Sequence, residues 1–231
     1  MSTKLKTVTG EVLMNLDLPP TRMIVHRLIP QGTHLLAGAP KVGKSWLTLQ
    51  LCLQVANGEP LWGLPTEKGT VLYLCLEDTP GRIQNRVFDL TDHAPSNIHF
   101  ATMAETINGG LVNQINDFLD EHPDTVLVAI DTLQRIRNVS GDLNAYANDY
   151  RDIKLLKQIT DKHGIAILLV HHVRKQKDSD PFNMISGTTG LSGAPDGTYI
   201  LLKESRSSRR AKLHMTGRDI EDIEYILEFD I

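Results

Sequence analysis

Apolar residues along the chain fall into short unbroken runs separated by stretches of helical periodicity. Thr70-Val71-Leu72-Tyr73-Leu74-Cys75-Leu76, Thr125-Val126-Leu127-Val128-Ala129-Ile130 and Ile165-Ala166-Ile167-Leu168-Leu169-Val170 show no polar alternation. Strands of this kind are covered on both faces, the condition of a parallel sheet between helical layers. Gly32-Thr33-His34-Leu35-Leu36-Ala37 predicts another short buried strand, and Ile98 to Ala101 a further one. The intervening segments read as helices. Residues 46 to 56 place Leu49, Leu53 and Ala56 at helical spacing before Asn57-Gly58 ends the run. Thr79 is a good N-cap and Pro80 suits the first helical position, with Ile83, Val87 and Leu90 on one face. Leu111 to Leu119 is amphipathic. Ala145 to His163 carries a stripe of Tyr146, Tyr150, Ile153, Leu156 and Ile159, with Gly164 placed to terminate it.

The last part of the chain changes character. Gly197 to Lys203, Ala211 to Met215 and Ile223 to Phe229 predict strands joined by polar turns, in antiparallel arrangement. Residues 174 to 194 are polar and predict a long functional loop. Residues 1–31 are expected to form an N-terminal arm, in which Leu18-Pro19-Pro20 is extended and Met23-Ile24-Val25 is a short strand or helix. Residues 32–231 then make one α/β domain, without internal repeats or low-complexity tracts.

Between the first buried strand and the first helix lies Gly38-Ala39-Pro40-Lys41-Val42-Gly43-Lys44-Ser45, followed by Trp46. This is a complete phosphate-binding loop of the form G-x-x-x-x-G-K-[ST]. The glycines let backbone N–H groups turn inward, the lysine reaches the β- and γ-phosphates, and the serine hydroxyl ligates Mg²⁺. The strand–loop–helix setting adds the positive end of a helix beneath the phosphates. ATP and Mg²⁺ are the expected ligands.

Other polar residues sit at strand ends. Asp131 closes an apolar strand, the setting of a carboxylate that works with Ser45 on Mg²⁺. Glu77 ends another strand and is the expected catalytic base, with Asp78 as the alternative. His171 and His172 end a third; alternation turns one into the crevice, and His172 is the expected γ-phosphate contact. The nine histidines show no H-E-x-x-H motif and no cysteine partners at zinc-ligand spacing.

Charge changes this picture little. The net charge of −4 gives no global support for a nucleic-acid partner. Basic residues nevertheless follow two of the strands: Arg135 and Arg137 after Asp131, then Arg174, Lys175 and Lys177 after the histidines. Both loops would leave the same sheet edge and suit a groove along a phosphate backbone. Arg206, Arg209, Arg210 and Lys212 flank a late strand, where an exposed cation can act on a neighbouring subunit's γ-phosphate. Cys52 and Cys75 read as buried thiols, and the absence of a signal peptide or long apolar span suits a cytoplasmic protein. Asn138-Val139-Ser140 matches a glycosylation triplet that such a protein does not use.

Taken together, these motifs resemble the RecA-like ATPases, and within them the hexameric replicative helicases typified by plasmid RepA and bacterial DnaB, the RepA-like branch most of all. The resemblance spans roughly residues 20 to 230 and rests on several segments. They are Gly38 to Trp46, Val71 to Asp78, Ile130-Asp131-Thr132-Leu133, Leu168 to Lys175, Ser186-Gly187, Ala194-Pro195-Asp196 and Met215 to Asp219. It implies a RecA-type core, a homo-oligomeric ring of six subunits, nucleotide between subunits and single-stranded DNA in the channel, with a replication initiator or primase as further partner. It implies that Glu77 is the catalytic glutamate, that His172 holds the γ-phosphate sensor position, and that Arg210 and Lys212 resemble the finger pair acting on the neighbouring nucleotide. The chain is expected to differ from the family in carrying no added N-terminal domain. A recombination or loading ATPase and a nucleotide-gated scaffold are the competing readings.

Overall fold

The computed structural model describes residues 5–137, 145–174, 178–205 and 207–229. In chain order the elements are α1 (Gly10–Met14), β1 (Met23–Val25), β2 (Ile29–Pro30), β3 (Gly32–Gly38), α2 (Lys44–Asn57), β4 (Thr70–Cys75), α3 (Pro80–Leu90), β5 (Ile98–Ala101) and α4 (Val112–Glu121). There follow β6 (Thr125–Asp131), α5 (Ala145–His163), β7 (Ala166–His172), α6 (Thr189–Gly193), β8 (Gly197–Leu202), β9 (Arg210–Gly217) and β10 (Ile223–Glu228). Eight strands form one sheet in the order β10-β9-β8-β3-β7-β6-β4-β5. The six from β8 to β5 are mutually parallel, and β9 and β10 add on antiparallel. This is an α/β fold of RecA-like type.

The apolar runs explain the layering. Along β6, Leu127 and Ala129 join the core under α2 and α3, while Val128 and Ile130 join the core under α4, α5 and α6. Each strand therefore supplies both cores, which is why its sequence has no polar face. Helix signals also hold: Thr79 accepts from the Arg82 N–H with Pro80 in the first turn, α2 ends at Gly58, and Gly164 follows α5. On α5 only the second half of the stripe is packed. Ile153, Leu156 and Ile159 are buried, whereas Tyr146 and Tyr150 are 53% and 51% exposed.

The late strands pair antiparallel with one another as expected, β8 with β9 and β9 with β10, and β8 also pairs parallel with β3, so they extend the main sheet. Two expectations change. The segment read as a long loop contains a 3₁₀ turn at Pro181–Met184 and α6, with Ile185 and Leu191 buried. The arm is shorter than residues 1–31. β1 and β2 pair with one another, and Ile24, Val25, Leu28 and Ile29 are buried in the core beneath α2. Upstream of them α1 buries no residue.

The base of the sheet is fastened by Asp196, in the turn before β8. Its carboxylate accepts from the Thr33 N–H at 3.0 Å and pairs with Lys157 of α5 and, at 3.4 Å, with Arg218 after β9. Burial opposes the charge, but the Lys157 ammonium, the Thr33 N–H and Arg218 outweigh it and hold the carboxyl below its ordinary range. A carboxyl with a depressed folded pKa contributes stability that is complete above its unfolded value of about 3.9 and is lost as pH falls through the lower folded value. Asp196→Ala is therefore expected to cost about 2–4 kcal/mol at pH 7, measured by denaturant unfolding. The deficit against wild type should persist down to about pH 4 and shrink below it. A deficit independent of pH between 7 and 2.5 would contradict the assignment.

Candidate active site

The site is built on the end of β3. From Gly38 the chain turns through Ala39–Gly43 into α2, whose first residues are Lys44 and Ser45. Two glycines are required. A side chain on Gly38 would meet the Leu201 carbonyl at 2.7 Å, and Gly43 holds φ at +108°, where its missing Cβ would lie 2.8 Å from the Phe229 ring. The buried Lys44 ammonium donates to the Gly38 and Ala39 carbonyls at 2.9 and 3.0 Å. Its charge thus lies against the loop that would receive phosphates.

Parallel register brings the other strand ends to the same edge. His172 is level with Gly38, and Asp131 is level with both Cys75 and Val170. Side-chain parity then selects residues. Asp131 lies on the α2 face because Leu127 and Ala129 do, and His172 lies there because Leu168 does. His171 points to the other face, where its Nε2 hydrogen-bonds the Ser186 carbonyl at 2.8 Å. Among the described residues His172 Nδ1 is buried without a partner, a free hydrogen-bonding position beside Lys44, Glu77 and Asp131.

Asp131 is 5% exposed and accepts from the Tyr73 hydroxyl at 3.2 Å, with the Ser45 hydroxyl near enough to favour its charged form. Burial is the largest influence on it and raises its pKa, while the two hydroxyls and Lys44 favour the charged form. Burial likewise lowers Lys44, against the pull of Asp131 and Glu77. Burial and the nearby Lys44 cation lower His172, so it is neutral at pH 7. Glu77 is exposed at the mouth, and its Oε1 accepts from the Thr132 hydroxyl at 3.1 Å. Asp78 is engaged elsewhere: it pairs with Arg82 and Arg86, and Arg86 also lies over the Trp46 ring, 5.6 Å from its centroid. Ser45 and Asp131 offer a hydroxyl and a carboxylate side by side, a hard-oxygen donor set that fits Mg²⁺.

The basic candidates separate into groups. Arg137 pairs with Asp149 and, at 3.3 Å, with Asp152, both buried on α5. This pairing draws its charge toward α5 and away from the predicted groove, with the side chain 22% exposed. Arg135 is exposed and donates to the Leu76 carbonyl at 3.2 Å; Arg174 is exposed and donates to the Gly187 carbonyl. Arg210 and Lys212 project from the outer face of β9 and pair with Glu228 at 3.7 Å and Glu224 at 2.9 Å on β10. Arg209 is exposed at the start of that strand. Lys175, Lys177, Arg206 and the Asn138 triplet lie outside the described residues.

Sequence reasoning missed Tyr73, Thr132 and Phe229. Tyr73 had a legible signal, since a phenol inside an aliphatic buried run must find a partner. Phe229 lay in a predicted strand; its half-buried ring rests on Gly43, with the Lys203 ammonium 4.1 Å from its centroid.

Comparison with known proteins agrees with this architecture. A family model described as an AAA domain matches residues 2–178. The DNA repair protein RadA of Streptococcus pyogenes serotype M1 is 29% identical over 159 residues, 67% of this chain and 31% of that protein. RadA of serotype M18, strain MGAS8232, matches equally. The chain thus spans about a third of the length of these curated relatives. Among solved structures, the ATPase domain of G40P superposes with a TM-score of 0.66 at 15% identity, covering 86% of this chain and 81% of that one, a likeness of fold. Among the described residues, no helix is long and apolar enough to cross a membrane, and no group of three or more His, Cys, Asp or Glu is placed to hold a metal ion.

The placement of Arg137 makes a direct prediction. Arg137→Ala should destabilise the chain by about 2–4 kcal/mol by leaving two buried carboxylates unpaired, read from urea unfolding with no DNA present. Unchanged stability together with lost binding to single-stranded DNA would restore it to the groove.

Proposed function

We propose that this chain, which belongs to the AAA domain family, is a P-loop ATPase that binds Mg²⁺·ATP at the end of β3 and hydrolyses it in response to single-stranded DNA. The observation that carries the reading is the convergence of Lys44, Ser45, Asp131, Glu77 and His172 on one sheet edge through register and parity. Glu77 takes a proton from a water whose oxygen bonds to the γ-phosphorus as the bond to the ADP oxygen breaks. Thr132 fixes the carboxylate by its hydrogen bond. Lys44 turns from its loop carbonyls to the β- and γ-phosphates, where it offsets their charge. His172, neutral and with Nδ1 unpartnered, meets the γ-phosphate and senses its loss. Ser45 and Asp131 would hold Mg²⁺, which when bound neutralises phosphate charge.

Our proposal for the wider assembly is supported by what each chain leaves exposed. Arg210 and Lys212 face outward and would act on the nucleotide of a neighbouring copy in a ring, taken as six subunits. Arg135 and Arg174, with Lys175 and Lys177, would line a channel for single-stranded DNA. This supports a helicase or translocase of the RepA type in the cytoplasm, serving replication with an initiator or primase. The likeness to RadA, named as a DNA repair protein, favours a second reading in which the ATPase loads or remodels DNA without unwinding it.

Lys44→Ala should abolish ATP binding by calorimetry. Glu77→Gln should retain binding while turnover falls about 10²–10³-fold. Single-stranded DNA at low salt should stimulate wild-type turnover, and sedimentation with a non-hydrolysable ATP analogue should show a ring. Unwinding of a forked duplex separates the two readings. Turnover by Glu77→Gln at the wild-type rate would remove the base assignment.

A further inference from the structure

Tyr73 is almost wholly buried, and its hydroxyl has no water to turn to. β4 and β6 are neighbours in which Cys75 is level with Asp131 and Tyr73 with Ala129. Tyr73 therefore stands two residues behind Asp131 on the face that meets α2, opposite a small side chain. The phenol extends toward the strand end and donates to Asp131 Oδ2 at 3.2 Å, while its ring packs against Phe100 at 6.0 Å between centroids. Burial and the adjacent carboxylate push the Tyr73 hydroxyl well above its ordinary range, so it is a permanent neutral donor. The Ser45 hydroxyl is near enough to the same carboxylate to favour its charged form. One oxygen of Asp131 is thus fixed from inside the protein by a group without charge, which orients the carboxylate without competing with a cation for it.

Resting on the nucleotide-site reading above, we propose that Tyr73 is a positioning residue for Asp131, setting the orientation in which that carboxylate and Ser45 together receive the divalent cation that accompanies the nucleotide. A buried carboxylate without this donor would lose a hydrogen bond and its fixed plane, and cation binding would weaken while nucleotide contacts made by the loop backbone and Lys44 stayed intact.

The test uses the full chain, a fluorescent ADP analogue and Mg²⁺ titrated in a chelator buffer. Tyr73→Phe keeps the ring packing and removes the donor. The Mg²⁺ concentration that half-maximally tightens nucleotide binding should rise about tenfold. Affinity in excess EDTA should stay at the wild-type value, and the thermal midpoint should fall by no more than the loss of one buried hydrogen bond implies. Asp131→Asn should already lack the Mg²⁺ effect, and Tyr73→Phe added to it should change nothing further. An unchanged Mg²⁺ midpoint in Tyr73→Phe overturns the positioning role alone. So does equal weakening with and without Mg²⁺, which marks a purely structural tyrosine. A wild-type chain whose nucleotide binding ignores Mg²⁺ overturns this proposal alone, whereas one that binds no nucleotide overturns the nucleotide-site reading as well.

Discussion

The site depends on one constraint: the parallel registry of β3, β4, β6 and β7. A parallel ladder fixes which residues stand level, and alternation fixes which of them share a face. With His172 level with Gly38 and Asp131 level with Cys75, Asp131 and His172 point to the side where the loop turns into α2. A slip of one residue in β7 would exchange His172 for His171 and turn the wrong imidazole toward Lys44. The unbroken apolar character of these strands specifies that registry only because each face packs against its own helical layer.

Within the site, burial and charge oppose one another. Lys44 and Asp131 are both taken out of water, which disfavours either charge alone. Each is returned toward its ionised form by the other and by Ser45, Tyr73 and the loop carbonyls. On the proposed reading, a polyphosphate with its cation would bring charges of both signs to partners already desolvated, with Lys44 exchanging its loop carbonyls for phosphate oxygens. Glu77 differs in being exposed and, among the described residues, hydrogen-bonded by the Thr132 hydroxyl, a setting open to solvent.

Much of this was legible in the sequence because the signals were local. The phosphate-binding loop, the cap at Thr79, the stop at Gly58 and the apolar strands are each written in consecutive residues. His172 was legible because alternation is a local rule, and Asp131 because it ends an apolar run. What escaped depends on which strands become neighbours. The parallel pairing of β8 with β3 is invisible in β8 itself, since its residues suit either direction. The grip of Arg137 on Asp149 and Asp152 joins a loop to α5, and that of Tyr73 on Asp131 joins β4 to β6. Phe229 reaches Gly43 only because β10 closes the sheet edge beyond β9.

The structure also sorts its cations by how firmly they are held, and this bears on which of them can take part in a cycle. Arg137 faces two buried carboxylates, and separating such a set leaves charge stranded in a poor solvent, at a cost of several kcal/mol. Arg210 and Lys212 face Glu228 and Glu224 on an open surface, where a pair is worth about 0–1 kcal/mol. A partner phosphate approaching β9 competes with a weak, screened contact, whereas one approaching Arg137 would have to dismantle the anchor of α5. On the proposed reading, the cations able to act on a neighbouring copy are therefore those whose existing contacts contribute least to the fold.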